Sequence, residues 1–116
     1  MTHAAFSDLR LHRLKKIEIV VLAEDIALAE DLLKAAGVAG WTMIRDVAGM
    51  GHSGFHQGKT IFNDQSGLVM FVGVGEEKVI ADVARGLTRL FAKRPGVTFL
   101  SDVEVMRSDY FGKAAG

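Results

Sequence analysis

The sequence predicts an α+β fold of four antiparallel strands and two helices in the order β-α-β-β-α-β, the ferredoxin-like arrangement. Three observations predict it. Apolar periodicity switches from strand-like to helix-like twice along the 116 residues. Each helical stretch runs into a glycine or a Pro-Gly pair, and a long glycine-punctuated segment joins the two middle strands.

Lys15 to Ala23 is short and β-branched, and the acidic pair Glu24 and Asp25 bounds it, which reads as the first strand. From Asp25 to Ala36 the period changes. Ala29, Leu32, Leu33 and Ala36 share one face, Asp31 and Lys34 lie toward the other, and Gly37 stands where a helix stops. Trp41 to Ala48 reads as the second strand and Leu68 to Val74 as the third. Glu76 and Glu77 place negative charge at the start of a second helix, whose stripe is Val79, Ile80, Val83, Leu87, Leu90 and Phe91, and Pro95-Gly96 ends it. Val97 to Arg107 alternates loosely as the fourth strand. The expected organisation is an N-terminal arm over 1–13, a domain over 14–107 and a C-terminal tail over 108–116.

Two helices cover only one face of such a sheet, so a lone domain should show strands that alternate apolar with polar. These strands do not. Ile17, Ile19 and Val21 are opposed by Val20 and Leu22, and Leu68, Met70 and Val72 are opposed by Val69 and Phe71. A second apolar sheet face points to packing against further subunits. The competing expectation is that Phe6, Leu9 and Leu11 of the arm fold over it.

Composition limits the partners. Fourteen basic and fourteen acidic residues cancel, so no global field draws the chain to nucleic acid or to an anionic membrane. The absence of cysteine excludes disulfides, thiolate metal sites and a cysteine nucleophile. The first residues lack the pattern of a secretory signal and no apolar run reaches the ~20 residues a bilayer helix needs, so a cytoplasmic protein that is not membrane-embedded is expected.

The segment from Gly49 to Ser66 is longer than the roughly two to five residues a hairpin connection needs. Glycines at 49, 51, 54 and 58 permit close backbone approach to a ligand, and His52, His56 and Lys59 offer donors to an anion. It is not a phosphate-binding Walker loop, because Gly58-Lys59-Thr60 has no glycine at the required upstream spacing. His52 and His56, with Asp46 or Asp64, are an alternative metal set. Arg85, Arg89 and Lys93 recur every four residues, a pattern that commonly marks a solvated helix face, while Lys93 alone could reach a phosphate cleft. Trp41 is expected in the core or at an interface. Ser53 and His52 are sequence neighbours without an orienting third group, so no catalytic residue is expected and the chain does not read as an enzyme.

The element order, Gly-Trp-Thr at 40–42, Gly-Met-Gly-His-Ser-Gly at 49–54 and Ser-Asp-Val-Glu-Val at 101–105 together resemble the PII signalling superfamily over residues 14–107. Within it the chain is similar to the PII-like variants of carbon metabolism, including the carboxysome-associated PII protein. The resemblance implies a homotrimer whose intersubunit clefts bind ADP or AMP, and ATP as a further ligand, with residues 49–66 as the T-loop that addresses a protein target. It also implies bicarbonate as a second ligand and a role in inorganic-carbon metabolism with a bicarbonate transporter or carboxysome component as target; no cofactor and no metal site are expected. Carried over by position, Thr42 and Leu68 line the adenine pocket and Gly49, Met50, Gly51, His52 and Ser53 face the phosphates. Lys93, Arg94, Pro95 and Gly96 form the B-loop contributed by the adjoining subunit, and Arg107 stands at a basic position of the fourth strand. Gly51, His52 and Ser53 are also the expected bicarbonate site.

Departures from the family pattern refine these expectations. Tyr110 is the one tyrosine and lies in the tail, which argues against uridylylation of the T-loop. The glutamine beside the loop-base glycine is replaced by His52-Ser53, which argues against 2-oxoglutarate sensing. Arg-Pro-Gly-Val at 94–97 stands where the family carries Gly-Asp-Gly-Lys, which favours ADP or AMP over a triphosphate. The alternative classes are a trimeric divalent-metal-binding protein of similar fold and a small ferredoxin-like enzyme.

Overall fold

A computed structural model describes residues 4–51, 54–56 and 67–107. Strand β1 (His12–Leu22) leads through a 3-10 turn at Ala23–Asp25 into helix α1 (Ile26–Ala36). Then come β2 (Trp41–Val47), β3 (Gly49–Gly51), β4 (Gly54–His56), β5 (Leu68–Gly75), α2 (Glu77–Leu90) and β6 (Gly96–Val105). Four strands form one antiparallel sheet in the order β2-β5-β1-β6. This is the expected ferredoxin-like α+β arrangement, with both helices on one face.

Helix α1 stops where its sequence says it should: Gly37 adopts φ 91°, and its N–H bonds back to the Lys34 carbonyl at 3.0 Å. The core lies between the helices and the sheet. Ile17, Ile19 and Val21 of β1 and Val69 and Phe71 of β5 pack there with Leu33 of α1 and Ile80, Val83 and Leu87 of α2. Trp41 and Met43 of β2 pack against that cluster from the edge. The helices meet closely because Gly86 has no side chain: a Cβ there would sit 2.6 Å from Leu32 Cδ2.

The other sheet face is largely apolar, and the described residues leave it open. Register places Ile44, Met70, Val20 and Val97 in one row across it, with Thr42, Val72, Glu18 and Phe99 in the next. Ile44 is 40% exposed, Val97 45% and Phe99 54%. Of the arm residues expected to fold over this face, Phe6 and Leu9 remain exposed themselves and Leu11 is half-buried.

Two boundaries differ from the sequence expectation in an informative way. Strand β1 begins three residues earlier than Lys15, because it pairs with β6 as far as His12 opposite Val105. The segment after β2 is not plain loop: β3 and β4 form a separate antiparallel ribbon pairing Gly49 with His56 and Gly51 with Gly54. Glycine lowers strand propensity, which hides this ribbon from a residue-by-residue reading.

Candidate functional site

The sheet register decides which expected site residues lie together. Val47 of β2 pairs with Leu68 of β5, Leu68 pairs with Leu22 of β1, and the adjacent Val21 pairs with Gly96 of β6. The root of the 49–66 segment and the α2–β6 connection therefore emerge at the same end of the sheet, but at opposite edges. Three inter-strand spacings separate them, about 14 Å. Thr42 is exposed on the outer face and pairs with Val72, closer to the middle of the sheet. Gly49, Met50 and Gly51 lie on β3, while His52 and Ser53 lie outside the described residues. Arg107 lies beyond the far end of β6, whose 10 residues span roughly 34 Å, so one chain does not bring it to Lys93 and Arg94.

Strand β2 does not enter the ribbon straight. The β2–β5 register shifts between Arg45 and Val47, and Asp46 at that bulge has φ 60°. Aspartate tolerates this left-handed region better than most side chains. A bulge bends its strand and re-aims the residues beyond it. The residues beyond this one are the loop base, so Asp46 sets the direction in which Gly49 to Gly51 leave the sheet. In the sequence Asp46 stands out only as an alternative metal ligand.

The α2–β6 connection is a built turn. The Lys93 and Arg94 N–H groups both donate to the Leu90 carbonyl, at 3.1 and 2.9 Å. The Phe91 ring occupies the space above Gly96, where a Cβ would lie 2.1 Å from Phe91 Cε1. The Arg94 guanidinium closes the turn. Its Nε donates to both oxygens of Asp25, at 3.2 and 3.0 Å, and its Nη2 donates to Glu24 Oε2. Asp25 is buried at 4% exposure, and these carboxylates, Asp25 first and Glu24 next, raise the Arg94 pKa above its ordinary value. Asp25 sits at the N-cap position of α1 yet makes no capping bond with its side chain; the carboxylate is turned to Arg94 instead. The same 3-10 turn holds the other functional segment, because the Ala23 N–H donates to the Gly67 carbonyl at 2.7 Å, next to the start of β5. Lys93 is exposed beside this clamp.

In the sequence Glu24 and Asp25 mark only a strand boundary and, at Asp25, the start of a helix. Their partner is 69 and 70 residues away, a pairing no local pattern reveals. Other expected features resolve more simply. Arg85 bonds Asp82 at 2.8 Å on the exposed face of α2, in keeping with a solvated stripe. Among the described residues, no group of three or more His, Asp or Glu side chains could hold a metal ion. The alternative metal set falls mainly outside them, with His52 and Asp64 not described and His56 known by its backbone on β4.

The sheet thus carries an apolar outer face, a glycine ribbon leading from one edge and a clamped turn at the other. The family model of the nitrogen regulatory protein P-II matches residues 14–110. The chain belongs to the P-II family. No curated protein matches it. Among solved structures it is similar to CPII, a nitrogen regulatory PII-like protein from Thiomonas intermedia K12 bound to ADP, AMP and bicarbonate. The identity is 32%, the TM-score 0.83, and the match covers 89% of this chain and 97% of that one. CPII bound to ADP and bicarbonate matches at 30% identity and TM-score 0.79, over 89% and 98% of the two chains. A PII-like signalling protein from Thermus thermophilus shares the fold at 16% identity and TM-score 0.70, over 89% and 99%. The chain is thus a PII-like member of the P-II family that resembles CPII. Among its described residues no helix is long and apolar enough to cross a membrane.

Proposed function

We propose that this PII-like protein is a cytoplasmic homotrimer that binds ADP or AMP, and ATP as a further ligand, in clefts between subunits. Bicarbonate is the second ligand, and residues 49–66 pass the bound state to a protein target in inorganic-carbon metabolism, a bicarbonate transporter or a carboxysome component. The protein acts by binding and not by catalysis.

One observation carries the reading: the two expected halves of the site stand at the same end of the sheet on opposite edges. A ligand that touches both must meet them on two different chains. A head-to-tail ring does this, placing the β2 edge of one subunit against the β6 edge of the next, and three copies close it with their outer apolar faces inward. The similarity to CPII, whose structures hold ADP, AMP and bicarbonate, supports the same ligand classes here.

In this arrangement adenine lodges near Thr42 and Leu68, and the phosphates meet the backbone N–H groups of Gly49, Met50, Gly51, His52 and Ser53. The neighbour's Lys93, Arg94, Pro95 and Gly96 close the cleft, with Arg107 as a further phosphate cation. Charge-assisted bonds of this kind are worth roughly 1.5–3 kcal/mol each, while ordering each loop residue costs about 1–2 kcal/mol. One ligand can therefore order only part of the 49–66 segment. Bicarbonate at Gly51, His52 and Ser53 shifts the loop by as much as its affinity differs between loop states, and no more.

Calorimetric titration with ADP, AMP, ATP and cyclic AMP, each with and without bicarbonate, tests this. ADP or AMP is expected to bind, and bicarbonate to change that affinity. Absence of heat with every nucleotide would overturn the proposal. Gly51→Val should weaken ADP at least about tenfold, a loss of ~1.4 kcal/mol, without changing the mass of the assembly.

A further inference from the structure

The α2–β6 connection carries two adjacent cations, Lys93 and Arg94, and the structure treats them differently. Arg94 donates three hydrogen bonds to Asp25 and Glu24, and its side chain is 35% exposed while that of Asp25 is 5% exposed. Lys93 is exposed, and its backbone N–H makes the bond to Leu90 that shapes the turn. The 3-10 turn Ala23–Asp25 that receives Arg94 also holds Gly67, so a single short segment is tied to both ends of the candidate site.

We infer that Arg94 is a positioning residue: bound to Asp25 and Glu24, it fixes the α2–β6 turn so that Lys93 is the cation of that turn which meets the phosphates of a nucleoside diphosphate. This rests on the proposed nucleotide site and assigns separate tasks within it. A guanidinium bound to two carboxylates has its charge already neutralised, and leaving them for a phosphate would strand the buried Asp25 carboxylate. The clamp also explains a local oddity. Asp25 is at a helix start and forgoes capping, which costs that helix a favourable bond; the bond to Arg94 takes its place.

Charge alone and positioning predict opposite signs for one variant. Asp25→Asn removes a negative charge near a proposed anion site, and by Coulomb's law alone that should strengthen phosphate binding. If Asp25 acts by holding Arg94 and the turn, the same change weakens it. The expected result is that Arg94→Gln and Asp25→Asn each weaken ADP about tenfold, within the usual range of coupling between sites, with the double variant no worse than either. Adenosine, which lacks phosphate, should bind all these variants within about twofold of the parent, whereas general destabilisation of the cleft would weaken both ligands. Arg94→Lys should recover only part of the loss, since a point charge lacks the guanidinium's fixed set of donors. Lys93→Gln should weaken ADP while leaving the turn intact.

Hydrogen exchange at Lys93 and Arg94 supplies a readout that needs no ligand. The amides that bond to Leu90 should exchange faster in Asp25→Asn and in the milder, exposed Glu24→Gln, which keeps the test open if a buried change impairs folding. Unchanged exchange in both variants would refute the anchor. Faster exchange with undiminished ADP affinity would refute its role in the site, as would loss of ADP in Arg94→Gln together with tighter ADP in Asp25→Asn. If the parent protein binds no nucleotide, the functional reading falls and the positioning role falls with it, whereas exchange still reports whether Asp25 anchors the turn.

Discussion

Asp46 and Asp102 show how single side chains do unlike work in this fold. Asp46 holds a left-handed backbone where β2 bulges toward the ribbon. Glycine adopts that conformation without strain, and a β-branched side chain does so at a cost of about 1–3 kcal/mol. Asp46→Gly should therefore unfold in urea close to the parent, and Asp46→Val should unfold earlier with weaker ADP binding as the loop base is re-aimed. Asp102 bonds Lys15 at 2.6 Å on the surface. The bond holds the Asp102 carboxyl below its ordinary value of 3.8 and the Lys15 ammonium above 10.5. A depressed acid stabilises the fold above its unfolded pKa and loses that effect as pH falls through the lower folded value. A raised base stabilises below its unfolded pKa and loses that effect as pH rises through the higher folded value. Asp102→Asn should accordingly lower the thermal midpoint by a few degrees at most near pH 7, and the two melting curves should converge well below pH 3.8. Molar salt should also reduce the difference, because both groups are accessible to solvent.

Elements differ in how much of their origin is local. Helix α2 was legible from its stripe of Val79, Ile80, Val83 and Leu87, although it stops at Leu90, short of the Pro95-Gly96 pair expected to end it, and α1 was legible from Ala29, Leu33 and the terminal Gly37, because a 3.6-residue period is a property of neighbouring residues. The ribbon of β3 and β4 was not legible, since its pairing residues include three glycines that carry little strand preference. Close approach divides two other glycines. At Gly86 an added methyl meets the flexible tip of Leu32, and the helix gains about 1 kcal/mol of propensity. Gly86→Ala should stay within about 1 kcal/mol of the parent in urea denaturation. At Gly96 the methyl would enter the Phe91 ring, so Gly96→Ala should cost about 1–3 kcal/mol and distort the α2–β6 turn. Equal stability of the two variants would contradict the packing described for Phe91.

At the level of the whole molecule the outer sheet face is the feature that one chain leaves unfinished. PII proteins are trimers, and rows such as Ile44, Met70, Val20 and Val97 provide the apolar surface such an assembly buries. Phe99 is already 54% exposed in the single chain, so Phe99→Glu should leave the fold and its circular dichroism unchanged. Sedimentation should then find particles near the 12.5 kDa chain mass, with nucleotide binding lost together with the clefts. A Phe99→Glu protein that remains trimeric would show that another surface holds the subunits. The sequence by itself determined the order of the four sheet strands and two helices, the two apolar sheet faces and the family pattern at 40–42, 49–54 and 101–105, because periodicity and short motifs are written in adjacent residues. Only the tertiary structure decided that the loop root and the α2–β6 turn stand on opposite edges of one sheet end, and that Arg94 turns to Asp25. Both facts depend on strand register and on contacts between residues about 70 positions apart, which no local pattern encodes.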